Sequence, residues 1–398
     1  MKACVRRSPK PEVRSAGALL LALTFALLAP PLSLTAPLIA EPAGPAADKP
    51  QSEATSGEPK TGASDAEKQK RAAALANLEK QMRYAAASER KRAMRQVLRL
   101  KPEEQPPFLK LLNEFARDDL DYSVREVSLR TLGKAKYTDA LDTMVAALKD
   151  DRREVVLAAI SGLDALESDR AKEPLAALLK EADYTENDAS IGAAIRLLGR
   201  LKYRELAPFL KEKAMADSTD QALKLAIVLY FGASGATDMN GYLMELVEDE
   251  EVDILRRAYA TNSVGKLGDK TKVPALREQL ENIRSFANPR ERARYSPLKL
   301  QLLTALVRLG DESVEKELLA AARDDDARVR VRAIAQLGEA KMERARPLLE
   351  YIVDHDASKG ARRAAKRALK QLDGLDPDAP DPVESEKKEA EASASAQP

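Results

Sequence analysis

The sequence contains little of the material from which enzymes build reactive sites. Its 398 residues include one cysteine (Cys4), one histidine (His355) and no tryptophan, and aromatic residues make up only 4%. Thiol catalysis, zinc sites of Cys and His ligands, and histidine-based catalytic triads therefore lack their residues. Few large rings also favour a layered or repetitive architecture over a compact core. We expect no cofactor and no catalytic activity.

A basic segment followed by an apolar run opens the chain. Five basic residues precede the run ALLLALTFALLA, and Pro30 and Pro31 interrupt it. This pattern predicts an export signal in residues 1–40, cleaved after Ala36 or Ala40, and a periplasmic or cell-envelope location. The alternative is an uncleaved anchor, although the apolar run is shorter than the roughly 20 residues of a spanning helix. Peripheral membrane association stays open.

Removal of this segment changes the charge of the chain. Residues 1–40 contain five basic residues and one acidic residue, so the formal net charge falls from +1 to −3. The only cysteine is removed as well, so no disulfide can stabilise the exported protein. The near-neutral total argues against a nucleic-acid partner, because such proteins must neutralise many phosphates.

A ten-residue phrase recurs eight times along the chain. Two copies are VREVSLRTLG from Val124 and VRVRAIAQLG from Val329. The closing residues lie 31, 35, 33, 33, 45, 28 and 35 residues apart. This period leaves room for two helices per unit and is typical of a helical solenoid. The closing residues are Gly133, Asp164, Gly199, Gly232, Gly265, Gly310, Gly338 and Asp373.

Small and polar residues give each part of the phrase a structural role. The fifth residue is small in six of the first seven copies, as a close approach between helices requires. The closing glycine suits a left-handed turn that ends the helix. Five units have an Asp or Asn three residues before the phrase, where a helix N-cap accepts backbone N–H groups. These residues are Asp121, Asn187, Asp220, Asp253 and Asp326.

The sequence resembles the HEAT-repeat family. The resemblance rests on these caps, the pairs Val124/Arg125 and Val329/Arg330, the small fifth residue and the Leu-Gly ends. That family includes the HEAT-like repeats of phycobilisome lyases. The resemblance covers about residues 103–373. It implies an all-α fold, a right-handed solenoid of about eight antiparallel helix pairs. It also implies that the second helices line a concave face, which such proteins mostly use to hold other macromolecules.

Composition divides the rest of the chain. Residues 41–66 are rich in Pro, Ala, Gly and Ser and are expected to form a disordered linker. Residues 67–100 predict one long charged helix or two shorter ones. The repeats occupy residues 101–373, and residues 374–398 read as a disordered acidic tail.

A basic residue follows the first position of the phrase in four units. In HEAT-like stacks this residue usually pairs with the capping Asp of a neighbouring unit, so we interpret these residues as a structural ladder and not as a ligand site. The ladder consists of Asp121, Arg125, Asp220, Lys224, Asp253, Arg257, Asp326 and Arg330.

Helical geometry turns the third and seventh positions of the phrase away from the core. In several units these positions are apolar, and exposed apolar patches usually mark interaction sites. We predict a protein-binding face there. The alternative is burial by neighbouring units or by the helices of residues 67–100. The candidate residues are Leu157, Leu225, Leu229, Leu303, Val307 and Val331.

Two further features are weaker candidates. The wide spacing between Gly265 and Gly310 places an insertion around residues 284–297, which predicts a protruding loop that is either a binding element or a neutral insertion. His355 stands between Asp354 and Asp356, but Asp-rich turns recur between the helices, so an ordinary polar turn is favoured over a metal site.

The sequence therefore predicts a non-catalytic scaffold or binding module of the cell envelope. Its partner is expected to be a protein or peptide held on the concave face. Two alternatives remain: a HEAT-like lyase or isomerase acting on a chromophore or a protein, and a HEAT-like nucleic-acid-binding protein. The oligomeric state stays open.

Overall fold

The computed structural model describes residues 61–377, with side chains from Asp65 onward. The predicted export signal, most of the predicted linker and the tail from residue 378 lie outside the described residues. Within the described range every regular element is a helix, and no strand is present. The all-α solenoid that the sequence predicts is thereby confirmed.

Eighteen of the nineteen α-helices between residues 61 and 377 alternate as first and second members of antiparallel pairs. The first helices are α1 (Thr61–Tyr84), α3 (Gln105–Asp118), α5 (Leu141–Ala146), α7 (Lys172–Glu181), α9 (Ala207–Met215), α11 (Asn240–Glu248), α13 (Val273–Ser285), α16 (Glu315–Ala321) and α18 (Arg346–His355). The second helices are α2 (Ala87–Gln96), α4 (Tyr122–Lys134), α6 (Arg153–Leu166), α8 (Ala189–Arg200), α10 (Gln221–Ser234), α12 (Ile254–Leu267), α15 (Ser296–Arg308), α17 (Ala327–Glu339) and α19 (Lys359–Leu372). The remaining helix, α14 (Pro289–Arg294), lies between α13 and α15.

Packing runs from each unit to the next. Each second helix from α4 to α17 contacts the second helix that follows it, and most second helices contact the first helix of their own unit. The ninth position of the phrase is apolar and fully buried, for example Leu132, Leu163 and Leu198. Burial of one such side chain stabilises the fold by about 2 kcal/mol. Thin layers packed with aliphatic side chains account for the shortage of aromatic residues.

The N-terminal helices form a unit of their own. α1 and α2 make a ninth pair ahead of the eight predicted pairs, and α2 packs on α4. Arg71 of α1 donates to both carboxylate oxygens of Glu104, at 2.8 and 2.6 Å, and lowers the pKa of Glu104 to about 2. The predicted linker is too long at its C-terminal end, because α1 begins at Thr61. This start lies in an Ala-containing segment that helices tolerate.

Five of the six closing glycines do not form the predicted left-handed turns; Gly310, with a φ of 90°, does. Gly133 and Gly232 lie inside their helices and are buried, with no left-handed backbone angle. A Cβ atom on Gly133 would lie 2.7 Å from the Cα atom of Gly162, and one on Gly232 would lie 2.5 Å from the Cα atom of Ser263. The glycine therefore allows two second helices to approach closely, and the prediction of a left-handed C-cap was wrong for these units.

The left-handed residue comes three positions later in most units. The residues of the described range with positive φ fall at the ends of the second helices and recur once per unit. They are Lys136, Glu167, Lys202, Gly235, Gly268, Gly310, Lys341 and Gly374.

The contacts of the closing glycines show that the sixth and eighth phrases each start three residues earlier than the sequence pattern indicated. The closing glycine of one phrase meets the eighth residue of the next, as Gly232 meets Ser263. Gly265 meets Ala305 in the same way, which starts the sixth phrase at Leu298 instead of Gln301. Contacts of Gly338 with Ala368 likewise start the eighth phrase at Ala361. The last three spacings then become 42, 31 and 32 residues.

The insertion after Gly265 is mostly helical, which corrects the prediction of a loop. Asn288 accepts the backbone N–H of Arg290 and caps α14, and Pro289 occupies its first turn. Phe286 and Tyr295 stack at its two ends, with ring centroids 4.9 Å apart. A proline at the start of a helix costs no hydrogen bond, so the prolines of this segment permit a short helix.

Candidate binding face

The second helices α8 and α10 each present three residues on one face at spacings of four. On α8 these residues are Gly192, Arg196 and Arg200, and on α10 they include Leu225 and Leu229. Residues four apart on a helix lie one above the other. We call the surface made by these residues and by Leu157 of α6 the inner face.

The apolar part of the inner face is accessible to solvent. Leu157, Leu225 and Leu229 are partly exposed. They are also not among the side chains of the described range that pack against the hydrophobic core. Leu157 lies on α6, and Leu225 and Leu229 lie on α10. The residues of α8, the second helix between them, therefore form the surface that separates the leucines.

The contribution of α8 is a glycine and an arginine. A Cβ atom on Gly192 would lie 3.2 Å from Nη1 of Arg196 and 3.8 Å from Cδ2 of Leu223, so the guanidinium group lies over the glycine. Arg196 makes no ion pair with any residue between 65 and 377. Arg196 is exposed, but the neighbouring protein atoms displace part of its water shell and lower its pKa, and the nearby cation Arg200 lowers it further.

The inner face leads into a cavity of about 1140 Å³, which we call the central cavity. Residues at the C-terminal ends of six consecutive second helices, α6 to α17, line it, including Arg200 and Ala233. Ala233 continues the face of Leu225 and Leu229 by one more turn. The charged residues of the lining are Asp164, Glu167, Asp169, Lys172, Arg200, Lys202, Lys266, Arg308, Glu339 and Lys341.

Three ion pairs neutralise part of this charge. Nε of Arg200 donates to Oδ1 of Asp164 at 3.0 Å. Nη2 of Arg308 lies 3.1 Å from Oε2 of Glu339. The third pair, at 2.8 Å, joins Lys172 and Asp169. The lining then retains three lysines against one glutamate, so the cavity has an excess of positive charge.

Two of these lysines are constrained by their surroundings. Nζ of Lys202 donates to the carbonyl oxygen of Ala233 at 2.6 Å. Lys266 is exposed, but the surrounding protein displaces part of its water shell and lowers its pKa; Glu339 opposes this shift, whereas Arg308 and Lys202 add to it. Basic side chains commonly compensate the negative ends of helices. Here they also repel one another, because the helix ends converge.

Comparison with known families decides the nature of the repeat. A family model described as HEAT repeats matches residues 109–193 and 291–370. These two segments of the chain carry HEAT repeats. The two matched segments cover most of α3 to α8 and of α14 to α19, so much of the inner face lies between or at the edges of the matches.

Solved structures with similar helical stacks come from several sources. The complex of CpcE and CpcF of phycocyanin lyase from Nostoc sp. PCC7120 is 17% identical, covers 67% of this chain and 94% of its own, and has a TM-score of 0.37. Human deoxyhypusine hydroxylase in complex with glycerol is also 17% identical, covers 67% and 96%, and has a TM-score of 0.29. An engineered protein is 13% identical, covers 76% and 89%, and has a TM-score of 0.38. No curated protein sequence matches the chain.

In this protein, Asp side chains cap the second helices of four units at the ladder positions. Each accepts one or two backbone N–H groups from the first turn. The cap of α8 is Asp188 instead of Asn187. The four ladder caps are Asp121, Asp220, Asp253 and Asp326.

The basic ladder residues divide into two kinds. Arg125 donates to both carboxylate oxygens of Asp150, at 2.8 and 2.9 Å. Arg330 does the same with Asp356, at 3.1 Å for each bond. Both acceptors stand two residues before the capping position of the next second helix, and not at that position. A carboxylate there lies level with the guanidinium group of the preceding unit.

The other two basic residues depart from the predicted pairing. Arg257 is buried and donates to the carbonyl oxygen of Val247 at 3.0 Å and to Oε1 of Gln279 at 3.1 Å. Lys224 is 5% exposed and makes no ion pair within the described residues. In these two units the basic residue is buried. Arg257 contacts neutral acceptors where Arg125 and Arg330 contact a carboxylate.

Three of the six predicted apolar binding residues belong to the hydrophobic core or pack against it, although Val307 and Val331 are half-buried and not fully enclosed. Leu303 is 2% exposed, which corrects its assignment. In the shifted register it occupies the sixth position of the phrase, which is buried in the other units, as Ile195 and Val228 are. Val307 moves to the tenth position, and Val331 lies near Gly360 of α19; both pack against the core.

The weaker candidates have simple surroundings. His355 is exposed and stacks on Tyr351, with ring centroids 4.7 Å apart, while Asp356 pairs with Arg330. Among the described residues, no three His, Cys, Asp or Glu side chains form a group that could hold a metal ion.

Sequence reasoning missed Gly192, Arg196 and the lysines of the central cavity. The basic residues at spacings of four along α8 are visible in the sequence. Convergence of helix ends from six units is not visible there, because it depends on the curvature of the stack.

Proposed function

We propose that this protein is a non-catalytic binding module that holds a segment of another protein on its inner face. The supporting observation is the set of partly exposed leucines, Leu157, Leu225 and Leu229, around Gly192 and Arg196. Water-exposed leucines stabilise no fold by themselves, and their burial by a partner is favourable at about 25 cal/mol per Å².

Export is a second part of the proposal. It rests on the basic and apolar pattern of residues 1–40, which lie outside the described residues. Among residues 61–377, none of the helices is both long and apolar enough to cross a membrane. Mass measurement of the N-terminus of the protein from fractionated cells tests export, and an intact N-terminus in a cytoplasmic fraction would refute it.

Photo-crosslinking in intact cells tests the binding face. We replace Leu229 by a photo-crosslinking phenylalanine analogue and, as a matched control, replace the exposed Ala177 on the first helix α7. The proposal predicts specific crosslinked proteins from position 229 and none of these from position 177. Equal crosslinking from both positions would contradict it.

A pair of substitutions then separates binding from folding. The variant carrying Leu225→Glu and Leu229→Glu should keep its helix content and urea midpoint but lose the partner proteins. If the variant unfolds, Arg196→Glu serves as the second test, because Arg196 is exposed and unpaired among the described residues. A folded variant that keeps every partner would refute the proposal.

A further inference from the structure

The cationic end of the inner face and its apolar end belong to the same helix faces. On α8, Arg196 and Arg200 are one turn apart, and Lys202 follows at the end of the helix. On α10, Leu225 and Leu229 are followed by Ala233, which lines the central cavity beside Lys202. A molecule lying along these faces would therefore contact leucines first and cations next.

The cavity contains cations that the protein itself does not neutralise. Lys202 and Lys266 come from two units and make no ion pair within the described residues. Lys202, and Arg308 of a third unit, lie close enough to Lys266 to influence it electrostatically. Glu339 pairs with Arg308. Nη1 of Arg308 is buried and has no hydrogen-bond partner within the described residues. Lys202 and Lys266 are exposed, whereas Arg308 is half-buried. Like charges brought together cost free energy, and an anionic ligand removes that cost.

We infer that the segment bound on the inner face is an acidic peptide in which apolar residues are followed or preceded by carboxylates. The apolar residues contact Leu157, Leu225 and Leu229, and the carboxylates occupy the central cavity against Lys202, Lys266 and Lys341. This inference rests on the proposed function, because it assigns the chemistry of the partner at the same face.

Helix geometry sets the spacing within the peptide. Ala233 lies eight residues after Leu225, so the helix rises roughly 12 Å between them at 1.5 Å per residue. An extended chain covers roughly 12 Å in about four residues. The apolar residues and the carboxylates of the partner should thus be separated by about four residues.

Fluorescence anisotropy with labelled peptides tests the inference on the full chain. The main probe has two leucines, a four-residue Gly/Ser spacer and three glutamates; a second probe has lysines in place of the glutamates, and a third has serines in place of the leucines. We expect saturable binding of the main probe and at least about tenfold weaker binding of the other two, as expected from the loss of about 1.4 kcal/mol. Equal binding of the lysine probe would overturn the inference.

Matched lysine substitutions locate the site. The variant carrying Lys202→Gln, Lys266→Gln and Lys341→Gln should bind the main probe about tenfold more weakly. Lys136→Gln is the control, because Lys136 has the same left-handed backbone conformation as Lys202 and Lys341 but does not line the cavity. If the triple variant fails to fold, Lys202→Gln is measured alone. The inference predicts that this variant binds the main probe more weakly and with less dependence on salt concentration, and unchanged binding and salt dependence would overturn it.

The outcomes separate this inference from the proposed function. If crosslinks from position 229 persist and depend on the leucines but the lysine variants bind all probes as before, the acidic partner is wrong while the binding face stands. If crosslinks from position 229 are absent, the proposed function fails first. Crosslinks from the cavity to a second copy, or to residues 378–398 of the same chain, would overturn the assignment to a separate acidic partner.

Discussion

The central and the outer units of this protein join to their neighbours in different ways. In the outer units, Arg125 and Arg330 form two hydrogen bonds each to an Asp of the following unit. In the central unit, Arg257 is buried and donates to a backbone carbonyl and to an amide side chain. The same position of the repeat thus makes an ion pair near the ends of the stack and hydrogen bonds to neutral acceptors in its middle.

A similar division appears at the ends of the second helices, except in the last unit, where the left-handed residue is Gly374. The three central left-handed residues are glycines, Gly235, Gly268 and Gly310. Earlier units place residues with side chains there, such as Lys136 and Lys202. A left-handed conformation costs a residue with a side chain about 1 kcal/mol, whereas glycine adopts it freely.

The comparison teaches that the repeat specifies the position of a residue but not its energetic role. Ion pairs near the ends depend on protonation and salt. Contacts in the middle depend on close packing and hydrogen bonds to neutral acceptors, which are less sensitive to both. Substitutions in the central units should therefore have the larger effects on the free energy of unfolding.

The largest effect is expected at the contact between α10 and α12. In the variant Gly232→Val, the new side chain would clash with the backbone of Ser263, because even a Cβ atom would lie 2.5 Å from its Cα atom. We expect a loss of about 3 kcal/mol in the free energy of unfolding, measured by urea denaturation. Gly241→Val in α11 is the control, since no atom lies within 4 Å of the new Cβ atom. Equal losses in both variants would show that helix propensity, and not close approach, is responsible.

The next effect concerns Arg257. Arg257→Met leaves the carbonyl oxygen of Val247 and the side chain of Gln279 without this donor, so we expect a loss of about 2 kcal/mol. Arg330→Met removes a partly buried ion pair, but Asp356 still accepts the backbone N–H of Ser358, so this variant should cost less. Urea denaturation of both variants at neutral pH measures the difference, and a larger loss for Arg330→Met would contradict the comparison.

A smaller effect depends on pH. The hydrogen bonds from Arg330 hold the pKa of Asp356 below its usual value. The folded state therefore gains stability from this group above the ordinary Asp pKa of about 4, and loses it as the pH falls through the lower folded pKa. We expect Asp356→Asn to lose less stability than the unaltered protein between pH 7 and pH 3.

A turn Asp of a central unit provides the control for this measurement. Asp249 accepts the backbone N–H of Glu251 and makes no ion pair within residues 65–377. Asp249→Asn should retain the pH dependence of the unaltered protein in urea denaturation at the same two pH values. If the stability of Asp249→Asn alone became less dependent on pH, the assignment of the pH dependence to the pair of Arg330 and Asp356 would be wrong.

Much of the fold could be predicted from local pattern. The Asp caps and the apolar positions of the phrase depend on residues close in sequence, so Asp220 and Leu198 were placed correctly. The register of the sixth and eighth phrases was not, because Gly310 resembles the closing glycine of other units while it serves as the left-handed turn. Only the contact of Gly265 with Ala305 distinguishes the two roles.

The site could be predicted only in part for the same reason. The third position of the phrase indicated Leu157 and Leu225 correctly as partly exposed, because helical periodicity fixes their direction. The central cavity was missed, since Lys266 and Lys341 are 75 residues apart and meet one cavity only through the curvature of the stack.

The smallest expected effect is at the left-handed positions. Gly235 has a φ of 79°, and a Cβ atom at this position would have no other atom within 4 Å, so Gly235→Lys isolates the backbone cost and should destabilise the protein by about 1 kcal/mol. The reverse change, Lys136→Gly at a φ of 50°, relieves that cost but increases the freedom of the unfolded chain, so we expect a change of about 0.5 kcal/mol or less. Thermal and urea denaturation of both variants measure the asymmetry. Destabilisation of equal size in the two variants would mean that Lys136 contributes contacts beyond its backbone conformation, and that the central and outer turns do not differ as their residues indicate.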